Sequence, residues 1–550
     1  MTEEIKTCAA CNKEFIVSPD DKAMYESVGA IIPDNCPICN WKHLFAFWRF
    51  GKFRKGKSAL SGKPLITMWP EDIESPIYTR EEWASDKWDP LDYGVDYDSG
   101  RPFFEQFAEL QKKMPITHQT GVGNTNSDWS DDVWWSKNCY LCRAILHSED
   151  LRYCYRTFKS KFCVDLAYCF DSEFCYDSLY CFRCYKTQYA FNSRDCIDSK
   201  FLYDCRNLQN CFMCWNLRNK EYCIQNKQYT KEEYEKKLTE FNLGSYEGII
   251  KLKQEFDETI ARDAIHRQNF NTKVVNSTGN FLTECRNCHE CYFLEESENC
   301  RYIIRGQGCK DSISLTGVIT EKSSVSNGSL NGYMSSMLNW SVDCHHSSYL
   351  DLCENCENCF GCIALKKKKY CILNKQYSKE EYNKLLSKIM EDMKRNDEWG
   401  KFFPLSLTRG GYNFSTGHIL FPDTEENIER IGGLWEKVES VGEGMSTDQL
   451  PDDIKDVKDD IVTQPLICSE TGYRFNIASN DLQFYRQYNI PLPRQHPDFR
   501  TLKRFGILAK MLISQKGNCH FCDKEIIHYY PSELGYQKIA CIECYQKEVV

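Results

Sequence analysis

Residues 165–184 read Asp-Leu-Ala-Tyr-Cys-Phe-Asp-Ser-Glu-Phe-Cys-Tyr-Asp-Ser-Leu-Tyr-Cys-Phe-Arg-Cys. Aromatic-Cys-aromatic triplets (Tyr168-Cys169-Phe170, Phe174-Cys175-Tyr176, Tyr180-Cys181-Phe182) alternate with polar ones such as Asp171-Ser172-Glu173. Side chains alternate faces along a strand, so each cysteine points one way and its aromatic neighbours the other. Working outward, the spacing persists. Cys139, Cys142, Cys154, Cys163, Cys169, Cys175, Cys181, Cys184, Cys196, Cys205, Cys211, Cys214 and Cys223 are all separated by multiples of three. Other residues in that phase, among them Ile145, Ser148, Leu151, Ser160 and Ala190, are small or apolar. This phase is neither helical nor that of a plain strand. It predicts a narrow β-solenoid in which two strand triplets and two turn triplets make a coil of twelve, with cysteine inside.

Such coils resemble the twelve-residue coils of insect antifreeze solenoids, where Cys and Ser fill a thin core. Internal repeats support a stacked architecture. Cys139, Cys142, Cys154, Cys163 and Cys169 recur 42 residues later, and Cys196, Cys205, Cys211, Cys214 and Cys223 recur 148 residues later as Cys344, Cys353, Cys359, Cys362 and Cys371. Each long repeat runs into a capping box, Thr230-Lys-Glu-Glu233 and Ser378-Lys-Glu-Glu381, followed by apolar residues at helical spacing. The helices are expected to cap open sheet edges. The denser clusters Cys285/Cys288/Cys291 and Cys353/Cys356/Cys359/Cys362 read as core filling rather than metal ligands, because Cys packs as a small hydrophobe.

The two ends carry different chemistry. Cys8-x-x-Cys11 with Cys36-x-x-Cys39, and Cys519-x-x-Cys522 with Cys541-x-x-Cys544, are paired knuckles with the spacing of four-thiolate zinc ribbons. Two Zn2+ per chain follow. Four thiolates leave no open position, so both are structural rather than catalytic. The ends are also related to each other. Cys8, Phe15, Val17, Asp21, Tyr25 and Cys36-Pro37-Ile38-Cys39 answer to Cys468, Phe475, Ile477, Asp481, Tyr485 and His496-Pro497-Asp498-Phe499, while Cys519 and Cys522 answer to Ser58 and Ser61. Each end is therefore a two-ribbon module with metal in one ribbon only.

The resulting fold class is mainly β: a duplicated cysteine-rich β-solenoid with capping helices, flanked by zinc-ribbon modules at both termini. The expected segments are 1–82, N-terminal zinc-ribbon module; 83–135, connecting segment with a short helix; 136–228, first half of the solenoid; 229–268, helical insertion; 269–376, second half; 377–400, capping helix; 401–463, acidic linker; and 464–550, C-terminal zinc-ribbon module.

With 550 residues, 33 of them cysteine, and a net charge of −10, the chain is long enough for several domains and too acidic to coat nucleic acid along its length. No signal segment opens it and no apolar run spans a membrane, so a reducing cytoplasm is expected, where cysteines favour metals or cores over disulfides. Locally, Lys42, Arg49, Lys52, Arg54, Lys55, Lys57 and Lys63 interleave with Trp41, Phe45, Phe47, Trp48, Phe50 and Phe53 without an acid. Cations for phosphate and rings for base stacking suit RNA or a ribonucleoprotein, with Lys42, Trp48, Arg49, Lys52, Arg54, Lys55 and Lys57 as the contacts. A helix with a solvated basic face and a buried aromatic face explains the same residues. Arg494, Arg500, Lys503, Arg504, Lys510 and Lys516 form a weaker counterpart. No nucleophile elbow, phosphate loop, open metal site or small-molecule site is recognisable. The function read is a non-enzymatic adaptor or scaffold with RNA or protein partners. The alternatives are a pure protein-protein scaffold and a β-helix protein that binds or cleaves carbohydrate through an Asp165, Asp171, Asp177 ladder.

Several longer strings carry a family likeness: Trp83-Ala-Ser-Asp-Lys-Trp-Asp-Pro-Leu-Asp-Tyr-Gly94, Arg101-Pro-Phe-Phe-Glu-Gln-Phe107, Lys137-Asn-Cys-Tyr-Leu-Cys142, Asn219-Lys220 with Tyr222, and Cys541-Ile-Glu-Cys-Tyr545. They resemble a family of cysteine-rich, zinc-ribbon-containing proteins abundant in candidate phyla radiation bacteria. The resemblance spans nearly the whole chain. It implies a cytosolic bacterial protein and no particular activity. Where that family has a second Cys-Pro-x-Cys near the C-terminus, this chain has His496-Pro497-Asp498-Phe499, which speaks against a third zinc.

Overall fold

A computed structural model describes residues 3–165, 167–170, 173–176, 179–182, 185–437 and 443–550, with the backbone alone over 167–182. The side chains of Cys169, Cys175, Cys181 and Cys184, and the positions Asp171 and Asp177, lie outside the described residues. Strands predominate, and the chain divides into two compact, discontinuous units: Met1–Thr120 with Asn269–Glu436, and Gly121–Gln268 with Lys437–Val550. Each terminal module thus belongs with the sheet remote from it in sequence.

In the second of these units the strands join one almost wholly parallel sheet, eleven strands among the described residues. Partners lie twelve residues apart, as in Asp131↔Arg143, Arg143↔Tyr155, Ala190↔Leu202 and Cys211↔Cys223. Pairing already begins at Thr125↔Lys137 and ends on an antiparallel hairpin, Cys223↔Gln228. The first unit repeats the plan with nine strands among the described residues, from Gly279–Thr283 to Ser348–Asp351, and then the antiparallel hairpin Cys371↔Gln376. Here the offset drops from twelve at Cys288↔Cys300 to eleven at Ile313↔Ser324 and Ile319↔Leu330. One residue is missing from that stretch.

The backbone explains the three-residue phase. Asn287, Glu290, Phe293, Glu296, Asn299 and Tyr302 all have φ between 48° and 55°, and this left-handed conformation returns at every third residue through long runs of both sheets. The expected alternation of strand triplets with turn triplets is replaced by a corner after every triplet. A triplet supplies one inward residue, one outward residue and one corner. Left-handed φ is unfavourable for most residues and least so for Asn and Asp, which accounts for the many Asn and Asp at corners. Corner amides then stack: Asn276 Nδ2 donates to Asn287, Asn287 to Asn299 and Asn299 to Asp311 at 2.9, 3.1 and 2.9 Å.

The inward position must be small and must satisfy the carbonyls beside it. The Cys288 thiol donates to the carbonyls of Arg286 and Ser297, both at 3.4 Å. Ser297 does the same job with Oγ, donating to the Glu295 carbonyl at 2.7 Å and accepting from the Cys309 amide at 2.9 Å. Cys and Ser are equivalent fillers, and every described cysteine between Cys139 and Cys371 is buried and free of disulfide.

Many outward aromatic residues are covered rather than solvated, although Tyr140 and Tyr185 stay exposed. The Tyr246–Asp263 helix lays Ile249, Leu252, Phe256 and Ile260 against Phe201 and Phe212, which are themselves buried. It therefore covers a sheet face; it is a separate element from the capping-box helices Lys231–Leu238 and Lys379–Arg395, for which the edge-cap role was expected. In the other unit the Phe103–Lys113 and Lys379–Arg395 helices share a core with Tyr349, Phe360 and Ile372. Stretch 401–463, expected as an acidic linker, carries the short helices Thr416–Leu420 and Glu425–Arg430 and buries Leu405 and Ile428.

Both terminal modules dock through the same device. Asp21 closes the capping box of the Pro19–Ser27 helix and also takes Arg301 Nη1 at 2.9 Å and the Tyr302 hydroxyl at 3.1 Å. Asp481, at the start of the Ser479–Gln487 helix, takes Arg152 and the hydroxyl of Tyr153, the latter at 2.7 Å. Both aspartates are buried.

Candidate metal centres

Each cysteine quartet is assembled by a hairpin and a helix. In the N-terminal module the strands Glu4–Thr7 and Glu14–Val17 form the hairpin, and left-handed Asn12 (φ 57°) lets its knuckle turn. Cys8 and Cys11 sit on that knuckle, and Cys36 is the N-cap of the Pro37–Ala46 helix, whose first turn carries Cys39. The C-terminal quartet repeats this with strands Gln515–Asn518 and Glu525–His528, Asp523 at φ 56°, and Cys541 as N-cap of the Ile542–Val549 helix. In each quartet the four sulfurs all lie within 4.8 Å of one another. Cys11 and Cys36 are 4.0 Å apart, and Cys522 and Cys541 are 3.8 Å apart.

The local field favours thiolate at one position of each set, Cys36 and Cys519, and burial or a neighbouring thiol raises Cys11, Cys39, Cys541 and Cys544. The amides of Cys36 and Cys541 donate to the sulfurs of Cys8 and Cys519 at 3.2 and 3.3 Å. Two ligands of each set sit at a helix N-terminus, where the dipole stabilises negative charge. The Cys39 thiol, above all, brings Cys36 down to about 5, and Cys39 is pushed up in return. Burial raises Cys519, yet the backbone amides of Cys541, Cys522 and Phe521 outweigh it and bring the thiol down to about 6. In each set one thiol is drawn toward thiolate while its close neighbours hold their protons. Four soft sulfur donors at this spacing can hold a metal ion. Among the described residues no third group of this kind occurs, and none lies in the cysteine-rich sheets. The stretch answering to Cys8–Cys39 places Cys468 beside Thr471 and His496, with His496 edge-on to Tyr473 at 5.6 Å.

The basic-aromatic stretch behaves otherwise than its composition suggests. Lys42 pairs with Asp423 and lies over the Tyr412 ring at 5.4 Å. Trp48 packs over Gly317, where a Cβ would lie 2.6 Å from the indole, and meets Trp340 edge-on at 4.9 Å. Arg49 pairs with Glu436 and donates to the Met68 carbonyl at 3.1 Å. Arg54 donates to the carbonyls of Trp69 and Pro70 at 2.7 and 2.9 Å. Trp41, Phe45, Phe47 and Phe50 are buried. Lys52, Lys55 and Lys57 are exposed, with Lys52 over the Phe414 ring at 5.4 Å. The C-terminal counterpart is spent in the same way: Arg500 and Arg504 converge on buried Asp165 at 2.8 and 3.3 Å, and Arg494 lies over Tyr246 at 4.3 Å. Asp165 is thereby a docking residue. Sequence reasoning missed the acids that consume these cations, because Asp165, Asp423 and Glu436 are hundreds of positions from their partners and carry no local mark.

Among the described residues no helix is long and apolar enough to cross a membrane. No protein-family model and no curated protein matches the chain. A solved structure described provisionally as an acetyltransferase, from Desulfovibrio desulfuricans G20, aligns at 8% identity over 43% of this chain and 61% of its own, with a TM-score of 0.08, too low to show a shared fold.

Proposed function

We propose that this is a non-enzymatic zinc-binding scaffold of the cytoplasm, in which two zinc ribbons are carried on narrow β-solenoids built from the parallel sheets. The cysteine quartets carry the reading. Zn–S bonds of about 2.3 Å give a tetrahedron with edges of about 3.8 Å, close to the 4.0 and 3.8 Å sulfur separations of the two sets. When bound, zinc supplies cross-linking and no reaction, since four thiolates close its coordination shell. Cys8, Cys11, Cys36 and Cys39 would hold one ion, and Cys519, Cys522, Cys541 and Cys544 the other. The pairing of twelve-residue neighbours and the corner after each triplet support the solenoid reading.

The partner we favour is a protein. An RNA surface would now rest on Lys52, Lys55 and Lys57, because Lys42, Trp48, Arg49 and Arg54 are engaged within the chain. Elemental analysis of protein purified without chelator should give two zinc per chain, and one or none would overturn the proposal. In parallel, RNA retention at low salt that is abolished by K55E/K57E with zinc content unchanged would move the partner from protein to RNA.

A further inference from the structure

Sequence alone pairs Ser58 and Ser61 with Cys519 and Cys522. The structure extends the match to a whole site. The Ser58 amide donates to the Lys63 carbonyl at 2.8 Å, as Cys519 does to Lys524 at 2.8 Å. Gly62 donates to the Ser58 carbonyl at 2.9 Å, as Asp523 does to Cys519 at 2.9 Å. Ala59 donates to the Ile77 carbonyl at 2.8 Å, as His520 does to Ile539 at 2.8 Å. The strands Arg54–Lys57 and Pro64–Thr67 form the corresponding hairpin. Thr79 is then the N-cap of the Arg80–Trp83 helix where Cys541 is the N-cap of Ile542–Val549, and Glu82 stands three residues into its helix where Cys544 stands in the other. Four ligand positions thus hold Ser58, Ser61, Thr79 and Glu82.

These four converge. The Ser58 hydroxyl donates to Glu82 Oε2, and the same oxygen accepts from the Thr79 amide at 3.1 Å. Ser58 Oγ accepts from the amides of Leu60 and Ser61 at 3.2 and 3.4 Å, and Thr79 Oγ1 from the Glu82 amide at 3.2 Å. Glu82 is 5% exposed, and the hydroxyls of Ser58 and Ser61 hold its carboxyl down to about 2, so it is charged. A knuckle turns several amides inward, and buried amides need acceptors. Four thiolates around a divalent ion leave a net negative centre that accepts them. Here the Ser58 hydroxyl takes the knuckle amides of Leu60 and Ser61, and the buried carboxylate takes that hydroxyl and the Thr79 amide, leaving its own Oε1 without a hydrogen-bond partner among the described residues.

We infer that Glu82 takes the place of the metal–thiolate centre in this knuckle, as the anionic hub that receives the Ser58 hydroxyl and the Thr79 amide, with the Ser61 amide reaching it through Ser58, so that residues 54–82 hold their fold without metal. The inference rests on the metal reading of Cys519–Cys544 for its comparison alone. The test uses the full chain and zinc. S58C/S61C/T79C/E82C should bind one zinc more than the parent measured beside it; a folded variant with no gain overturns the inference, whereas a parent without zinc overturns the scaffold proposal and leaves the difference readable. Hydrogen exchange of the parent decides the matter if that variant does not fold. Chelation should raise exchange in 5–17 at least tenfold more than in 58–67, and E82A should raise exchange in 58–67 without chelator. Equal loss of protection in both segments on chelation, or no effect of E82A, would refute it.

Discussion

Single residues in this chain are chosen by corner, core or outward position before chemistry. Lys367 is exposed and left-handed at φ 53°. Replacing it by glycine removes a Cβ penalty of about 1 kcal/mol, offset in part by unfolded-state entropy. A β-branched side chain there is a genuine misfit. Thermal unfolding should rank K367G at or above the parent and K367V below it, and the reverse order would refute the corner account. At the core position, C288S should be nearly neutral because Ser297 already plays that part, whereas C288F should cost about 3 kcal/mol or more through overpacking. Denaturant midpoints measure both. His266 is a third kind of residue. It is fully buried, its Nε2–H donates to the Ile260 carbonyl at 3.1 Å, and its Nδ1 accepts from the Tyr203 hydroxyl at 2.6 Å. Burial first, opposed by the Ile260 carbonyl and abetted by Lys538, lowers it to about 3, and Tyr530 and Tyr536 are its other titratable neighbours. The folded imidazole is neutral, so the unfolded chain binds the extra proton below pH of about 6.5. Stability should fall as pH drops from that value toward 3, by about 1.4 kcal/mol per unit for this group. Denaturation of parent and H266F at pH 7, 6 and 5 should show a shallower decline in the variant.

At the scale of elements, the two cysteine-quartet modules are built alike and exposed differently. Cys522 is exposed and the C-terminal quartet borders an open cavity of about 750 Å³ lined by His520, Asp523 and His528, while no cysteine of the N-terminal quartet is exposed. A chelator should therefore remove zinc in two phases, and C522S should abolish the faster one; loss of the slower phase instead would reverse the assignment. Much of this level was legible in advance. The cysteine quartets, the capping boxes at Thr230 and Ser378 and the twelve-residue spacing are marked by residues close in sequence, so local pattern suffices. The left-handed corners were missed, although Asn and Asp recur beside Cys139, Cys205 and Cys288 in the matching phase. For 41–63, composition records that cations and rings are present, and only tertiary structure records that Asp423, Glu436 and Trp340 engage Lys42, Arg49 and Trp48. The function of Glu82 was invisible for the same reason: a glutamate in a capping box is ordinary until its carboxylate is seen to meet Ser58.

For the whole molecule, the division of the chain decides which parts depend on which. The Asp21–Arg301 docking ties the N-terminal module to the Asn269–Glu436 part, and the Asp481–Arg152 docking ties the C-terminal module to the Gly121–Gln268 part. Breaking the first metal site with C36S should unfold its own ribbon, since metal binding and folding are coupled. In hydrogen exchange it should also weaken protection of 298–316, and leave 131–158 as in the parent. Loss of protection in 131–158 first would show that the sequence-adjacent sheet is the true dependant.

That arrangement also has a history in time for each molecule made. Asp21 and its partner Arg301 are separated by 280 residues. At roughly 5–20 residues per second of synthesis, the N-terminal ribbon emerges and waits for roughly a quarter of a minute to a minute before its seat exists. For that interval it must persist as a freestanding nub, with its Asp21 side unclad. On the proposed zinc reading, metal supply during translation, rather than after it, governs how many chains finish correctly, and starving growing cells of zinc should harm newly made protein far more than protein already assembled.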